Sequence, residues 1–422
     1  MRFIADFHIH SKYSRATSKN MDLETLDKWA KIKGIKVLGT GDFTHPEWLK
    51  NLEEKLEPAE PGLFKLKKND HLPRSKAGAT RFMLTVEISC IYSKNNRVRK
   101  IHIIIFSPSF EAVEKINAHL GWIGNLKSDG RPILGLDAKE LAKIVLESCP
   151  ECLIVPAHIW TPWFSLFGSR SGFDSIKECF EEYSKYIYAG ETGLSSDPAM
   201  NWRISGLDKI TLISNSDAHS PAKIGREANV FDAELSYQAI VQAIKKQDSS
   251  KFLFTIEFFP EEGKYHFDGH RNCNISLSPK ESKKYNNICP SCKRPLTLGV
   301  LNRVEELADR PEGVKPEAKI PFKSLIPLEE IIAEALDQGT GTKAVLAEYD
   351  NLIKEFGSEF NILLNVSEDN LKAKTLAEIA EGIIRVRQGK VSLEPGYDGV
   401  FGKIHIFSQG EQKDLSKQSA LF

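Results

Sequence analysis

Two histidines spaced two apart, His8 and His10, follow a short apolar run at 3–7. In extended backbone, residues i and i+2 face the same side, so both imidazoles can reach one divalent ion. The pattern returns in Asp217-Ala218-His219, after the run 212–216. Between these pairs lie Asp42 and His45 after the run 37–40, Glu87 inside the β-like run 84–89, His102 inside 100–106, and His158 after 154–157. Glu191 follows another short run, and Asp197 stands six residues beyond it. A single histidine beside a strand is usually a hydrogen-bonded core residue. As a set, imidazoles and carboxylates at the ends of apolar runs need pairing or metal to offset their desolvation. Mixed His and carboxylate ligands suit zinc, manganese or iron(II) better than magnesium.

A second group is local. His270-Arg271-Asn272-Cys273 and Cys289-Pro290-Ser291-Cys292 form an HxxC…CxxC pattern, the spacing of a tetrahedral structural zinc site, with His266 as an alternative fourth ligand. Residues 264–303 carry eight Lys or Arg against two acids, with Tyr285 inside the basic run, a charge that could grip phosphates. Cys149-Pro150-Glu151-Cys152 has no second pair and reads as core or surface thiols. Trp160, Trp163 and Phe164 follow His158, and Gly168, Ser171 and Gly172 come next. They fit either a hydrophobic minicore under a turn or a pocket in which a nucleobase stacks. Tyr13, just past the first ligands, could wedge into a duplex. Basic runs at 65–68, 74–76 and 94–100 would matter if they flanked a metal mouth, though such runs are usually only solvated surface.

Something must bring the scattered set together. Up to about residue 255, apolar runs (35–40, 82–91, 100–106, 153–156, 186–189, 209–214) alternate with helix-like stretches (23–33, 138–147, 175–183, 236–246). Strand then helix, repeated, predicts an α/β fold with a largely parallel sheet, and sites in such folds gather at the C-terminal strand ends. Apolar residues three and four apart predict helices over 325–336, 341–356 and 371–388, and the last dozen residues read as frayed.

The chain has 422 residues, which sets a prior of two to four domains. Lys+Arg and Asp+Glu each number 57, so any basic surface is local. Neither a signal-peptide pattern nor an apolar run long enough for a membrane span is found, and the seven cysteines read as reduced thiols plus one metal site in the cytosol.

Taken in order, His8-Ile9-His10, Thr40-Gly41-Asp42, Glu87, His102, His158 and Ser216-Asp217-Ala218-His219 resemble the motifs of the PHP (polymerase and histidinol phosphatase) superfamily. The resemblance implies a distorted (β/α)7 barrel that hydrolyses phosphate esters with two or three divalent ions (zinc, manganese or magnesium). His8, His10, Glu87 and Asp217 would hold one ion, and Glu87, His102 and His158 a second. His219 and the Asp42–His45 segment would complete the cluster. Many relatives have a further histidine soon after the first pair, where this chain has Ser11-Lys12-Tyr13-Ser14, so His45 is the candidate substitute.

Over its full length the chain is similar to the endonuclease Q family of DNA-repair nucleases, through 6–18 (DFHIHSKYSRATS), 39–46 (GTGDFTHP), 191–198 (ETGLSSDP), 215–221 (NSDAHSP) and the Cys/His segment. This implies a PHP domain over 1–258, a zinc-finger module over 259–303 and a mainly helical domain over 304–422. It further implies base flipping and strand cleavage 5′ to uracil, hypoxanthine, xanthine and abasic sites in single- or double-stranded DNA. Asp197, Glu191 and Asp217 would be the catalytic carboxylates, and Tyr13, Trp160, Trp163, Gly168 and Ser171 would contact substrate. The expected location is cytoplasmic, with the nucleoid, and the C-terminal region could dock replication or repair proteins. A PHP-type small-molecule phosphatase is the alternative, and a non-enzymatic nucleic-acid module with a relic barrel is a third reading.

Overall fold

The computed structural model describes residues 1–67, 79–317, 319–408 and 411. The basic residues at 68 and 74–76 and nearly all of the expected frayed end lie outside them. The fold is mixed α/β. The strand Arg2–Asp6 runs parallel to Val37–Gly39, which runs parallel to Arg81–Lys94. On its other side Arg2–Asp6 pairs antiparallel with Ala228–Asp232, which pairs antiparallel with Phe252–Glu257. The expectation of a largely parallel sheet is therefore corrected. The longest ladder is an antiparallel hairpin of Arg81–Lys94 and Arg97–Ser107, to which Leu153–Pro156 adds antiparallel. Its cause is local: Asn95 and Asn96 both take positive φ (52° and 58°), the two-residue turn whose twist matches paired strands.

The central strands are buried on both faces, and alternate residues go to different cores. Phe3, Ala5 and Phe7 pack with Val37, Met83, Ile104, Phe106, Val155 and Phe231 in one core. Outside it, helices start where capping residues allow. Asp22 caps Leu23–Lys33, Asp137 caps Ala138–Ser148 and Ser236 caps Tyr237–Lys245, each accepting a backbone N–H of the first turn. Each helix then lays an apolar face against the sheet.

The Cys/His segment is a small hairpin, Asp268–His270 with Ile275–Leu277, followed by the helix Pro279–Lys284. The expected boundary at 303/304 falls inside the helix Val300–Leu307, and Phe322–Ser324 pairs in parallel with Phe252–Glu257. The last third therefore adds a strand to the main sheet before its helices begin. Those helices are Leu328–Ala335, Lys343–Phe356, Glu359–Leu364, Glu368–Lys374 and Ala377–Arg387. The single helix expected over 371–388 is two, broken at Thr375-Leu376. Two of them, Lys343–Phe356 and Glu359–Leu364, meet Leu23–Lys33, where buried Lys33 Nζ lies 2.6 Å from Glu359 Oε2 and Tyr349 Oη donates to the same oxygen. No helix among the described residues is long and apolar enough to cross a membrane.

Candidate metal centre

The chain beyond Arg2–Asp6 carries His8 and His10 past the end of its strand, where Ile9 bridges Ala218 and the N–H of His10 donates to Ala218 O at 3.0 Å. Asp6 holds that junction from below. Its carboxylate accepts from the backbone N–H and hydroxyl of Ser216 and from the N–H of Gly225, at 2.6–3.1 Å. Three residues around the centre are non-glycine with positive φ: Asp42 (53°), His158 (29°) and Asp217 (46°). Such backbone is costly and persists where surrounding contacts over-determine it.

Glu87 is the hub. Its Oε2 lies 3.6 Å from His8 Nε2 and 3.3 Å from His10 Nε2. Its Oε1 lies 2.7 Å from His102 Nδ1 and 2.9 Å from His158 Nε2. Asp217 Oδ1 closes the first group, 3.1 Å from His10 Nε2 and 3.6 Å from His8 Nε2. Two sets of potential ligand atoms thus share one carboxylate: His8, His10, Glu87 and Asp217, and Glu87, His102 and His158, with all atoms of each set within 4.8 Å of one another.

The outer nitrogens are fixed by other side chains. His8 Nδ1 sits 3.0 Å from both oxygens of Glu191, which also accept from Asn215 Nδ2 and the backbone N–H of His158. His10 Nδ1 sits 3.1 Å from Asp42 Oδ1, while Asp42 Oδ2 accepts from Ser11 and Ser14. His102 Nε2 meets Ser89 Oγ, and His158 Nδ1 meets Thr161 Oγ1. A histidine held this way presents its other nitrogen in a fixed tautomer and direction, as metal-ligating histidines are held. His8 Nε2 is buried and has no hydrogen-bond partner. An orphaned imidazole nitrogen facing two carboxylates is costly by itself and is satisfied by a cation, so the donor set fits divalent metal.

The electrostatics agree. Burial alone would raise the Glu87 carboxyl, but His102, Arg131, His8 and His10 outweigh it and hold the group well below the usual carboxylate range. Burial alone would push the two leading imidazoles down. Glu191, Glu87 and Asp217 around His8, and Asp217, Asp42 and Glu87 around His10, outweigh it and hold both well above the usual imidazole range. His102 goes the other way, pushed down to about 4 by burial. The centre is thus a buried pool of negative charge that attracts protons or cations.

Several expected site residues lie elsewhere. Asp42 and Glu191 stand behind His10 and His8 as orienting groups, outside both ligand sets. His45 stacks on Tyr13, with ring centroids 4.4 Å apart, instead of supplying a third-histidine substitute to either set. His219 stands at the edge, its ring 4.5 Å from His10 and its Nδ1 2.8 Å from the Asp217 carbonyl. Asp197 caps the short helix Pro198–Asn201, accepting from Met200 N at 2.8 Å, and belongs to neither set. Trp160 is buried, its indole N–H donating to Asn201 Oδ1 at 2.7 Å, so it is a core residue and not a stacking platform. Gly168 lets the 161–172 loop fold back on itself, and Ser171 ties it to the strand that carries His102. A Cβ on Gly168 would lie 2.5 Å from Thr161 O, and the Ser171 hydroxyl donates to Lys100 O. Trp163 alone of these is half exposed, with Lys100 Nζ 5.2 Å from its ring.

Sequence reasoning missed Asp6, Asn215 and Arg131. Asp6 and Asn215 lay inside quoted motifs. Arg131, whose Nη1 is 3.0 Å from Glu87 Oε2, carried no local signal.

In the Cys/His segment, His270, Cys273, Cys289 and Cys292 come together within 4.8 Å, while His266 does not join them. Two positive-φ residues, Asn274 and Lys293, turn the chain after each CxxC-type knuckle. Three thiols and one imidazole fit a tetrahedral ion.

Fold and centre define a PHP-type α/β protein with a shared-carboxylate metal centre. A family model described as PHP-associated matches residues 208–249, and one described as the MJ0043 C-terminal domain matches 327–390. An uncharacterized protein, YqxK of Bacillus subtilis, is 28% identical over 96% of this chain and 99% of its own length. MJ0043 of Methanocaldococcus jannaschii, also uncharacterized, is 36% identical over 60% of this chain, and that match spans about a third (32%) of MJ0043. Among solved structures, the lesion-specific endonuclease PfuEndoQ of Pyrococcus furiosus is 32% identical, with a TM-score of 0.84 over 96% of this chain and 95% of that one. A structure of endonuclease Q with a 27-mer duplex carrying an abasic lesion at the active site gives a TM-score of 0.83 at 32% identity, over 97% and 98%. The chain belongs to the endonuclease Q family.

Proposed function

We propose that this protein is a metal-dependent DNA-repair endonuclease that hydrolyses the phosphodiester 5′ to deaminated bases (uracil, hypoxanthine, xanthine) and to abasic sites. The observation that carries the reading is the pair of ligand sets sharing Glu87, in a chain matching endonuclease Q from end to end. His8, His10, Glu87 and Asp217 would hold one divalent ion and Glu87, His102 and His158 a second, with His219 at the rim. Such ions supply Lewis-acid charge that offsets the phosphodiester's own and makes water a stronger nucleophile near neutral pH. The side chains do the rest. Glu191 and Asp42 hold His8 and His10 with Nε2 toward the centre, and no Ser or Cys nucleophile is required.

Lesion choice requires a place for an extruded base, since poorly paired bases cost least to flip. A cavity of about 470 Å³ adjoins the centre through Thr161, which hydrogen-bonds His158, and is lined by Arg226, Phe258, Tyr265 and His266. That size and aromatic lining suit a planar heterocycle. His266 is pushed down to about 4 by burial, so its ring is neutral at neutral pH and can offer one donor and one acceptor nitrogen. Tyr13 and Trp163 remain the candidates to hold neighbouring nucleotides. The Cys/His segment would carry one structural zinc and present its basic face to duplex phosphates. The protein would then act in the cytoplasm on nucleoid DNA, with the outer faces of the C-terminal helices free for repair or replication partners.

Duplexes with a single uracil, hypoxanthine, xanthine or abasic site, incubated with the protein and Mg²⁺ or Mn²⁺, should be nicked on the 5′ side of the lesion. Intact strands with every metal, together with turnover of a phosphate monoester, would replace this reading with a small-molecule phosphatase.

A further inference from the structure

We infer that Arg131 grips the phosphodiester to be cut, with its guanidinium set at the shared carboxylate by a loop built for that purpose. The inference rests on the endonuclease reading above and assigns a substrate-contacting cation at the shared carboxylate.

The loop is fixed at each end. The N–H of Gly130 donates to Tyr13 O at 3.0 Å, and Pro132 O accepts from Ser89 N at 3.0 Å. A Cβ on Gly130 would stand 2.2 Å from Asp42 Oδ2 and 2.4 Å from Ser14 Oγ, so only glycine lets the backbone pass this close to the centre. Asp129 Oδ1 accepts from the backbone N–H groups of Arg15 and Arg131, and Asp129 Oδ2 lies 3.2 Å from Arg15 Nε. One carboxylate thereby pins two arginines beside the metal ligands.

The guanidinium itself is under-used. Its one side-chain hydrogen bond among the described residues runs from Nη1 to Glu87 Oε2, and the side chain stays 27% exposed. A guanidinium carries five N–H donors, so most of the fork is left for solvent or ligand. The oxygen it touches is the one that faces His8 and His10. Glu87 already has four imidazoles around it, and Arg131 joins them in holding its carboxyl low with only one of its donors. The unused N–H donors of the fork would be available to a phosphate oxygen held beside the shared carboxylate. Planar, bidentate contact with phosphate is what arginine offers and lysine does not.

Full-length Arg131→Ala and Arg131→Lys, loaded with Mn²⁺, provide the test. Metal content and melting temperature should match those of the parent protein. Single-turnover cleavage of an abasic duplex should fall by about 10²-fold in the Ala variant, the cost of deleting one preorganised transition-state donor. Arg131→Lys should fall in between. Millimolar guanidinium ion should restore part of the Ala variant's rate and none of the Lys variant's. Parental cleavage rates in Arg131→Ala overturn the inference, as does loss of metal in proportion to loss of rate, which would make Arg131 a positioning residue for Glu87. Should the parent protein cleave no DNA, the endonuclease reading falls. Titration of inorganic phosphate into the Mn²⁺-loaded proteins then decides alone: weaker binding by Arg131→Ala sustains the anion grip, and equal binding ends it.

Discussion

The Cys/His cluster takes its four side chains from residues 270–292, while the first His/carboxylate set reaches from residue 8 to residue 217. The first closes a short loop and can form as its segment folds. The second requires most of the sheet to be in place, so its closure entropy is met by core packing rather than by the ion. Their surroundings differ accordingly. Around the Cys/His set the main cross-contact is Cys292 Sγ near His270 Nδ1 at 3.5 Å. Around the His/carboxylate set each imidazole is held by a partner outside the set, through Glu191, Asp42, Ser89 and Thr161. A zinc ion would order the first cluster, whereas the side chains of the second are already held by their neighbours.

The largest effect should come from breaking the hub. Glu87→Gln should abolish strand cleavage and lower the metal content of both His/carboxylate sets together. It should leave the Cys/His ion bound and the far-UV circular dichroism unchanged. Loss of metal from only one of the two sets would mean that they do not share Glu87 as a ligand. The converse variant is Cys289→Ser. Ion binding to such a cluster is worth on the order of 10 kcal/mol of local folding, so the 264–303 segment should become the first site of limited proteolysis. Affinity for DNA should drop while the active-site ions, measured by elemental analysis, stay.

A milder break separates orienting residues from ligands. Asp42→Asn should leave His10 in place but loosely aimed, costing about 10–100-fold in metal affinity or rate. An effect as complete as that of Glu87→Gln would return Asp42 to the ligand set. The smallest effect is expected at His45. Its ring stacks on Tyr13 and reaches neither set, so His45→Gln should change metal content not at all and leave the cleavage rate nearly unaltered.

The Cys/His cluster and the main ligands were legible because their signals are local: two CxxC-type knuckles, and pairs at i and i+2 beside apolar runs. The hairpin was not, because both of its strands are too apolar to show which neighbour each would pair with, and the Asn95-Asn96 turn went unread. The break at Thr375-Leu376 was hidden because apolar spacing continues through it.

The sequence by itself determined which residues could be ligands, since donor chemistry and strand-end position are properties of the chain. It also determined the Cys/His set, whose closure is short-range. Only the tertiary structure decided that Glu87 serves two sets, that Asp42 and Glu191 aim histidines, that Trp160 fills the core, and that Arg131 arrives at Glu87. Each of those depends on contacts between segments tens to hundreds of residues apart, and such contacts are set by packing, which leaves no period in the sequence.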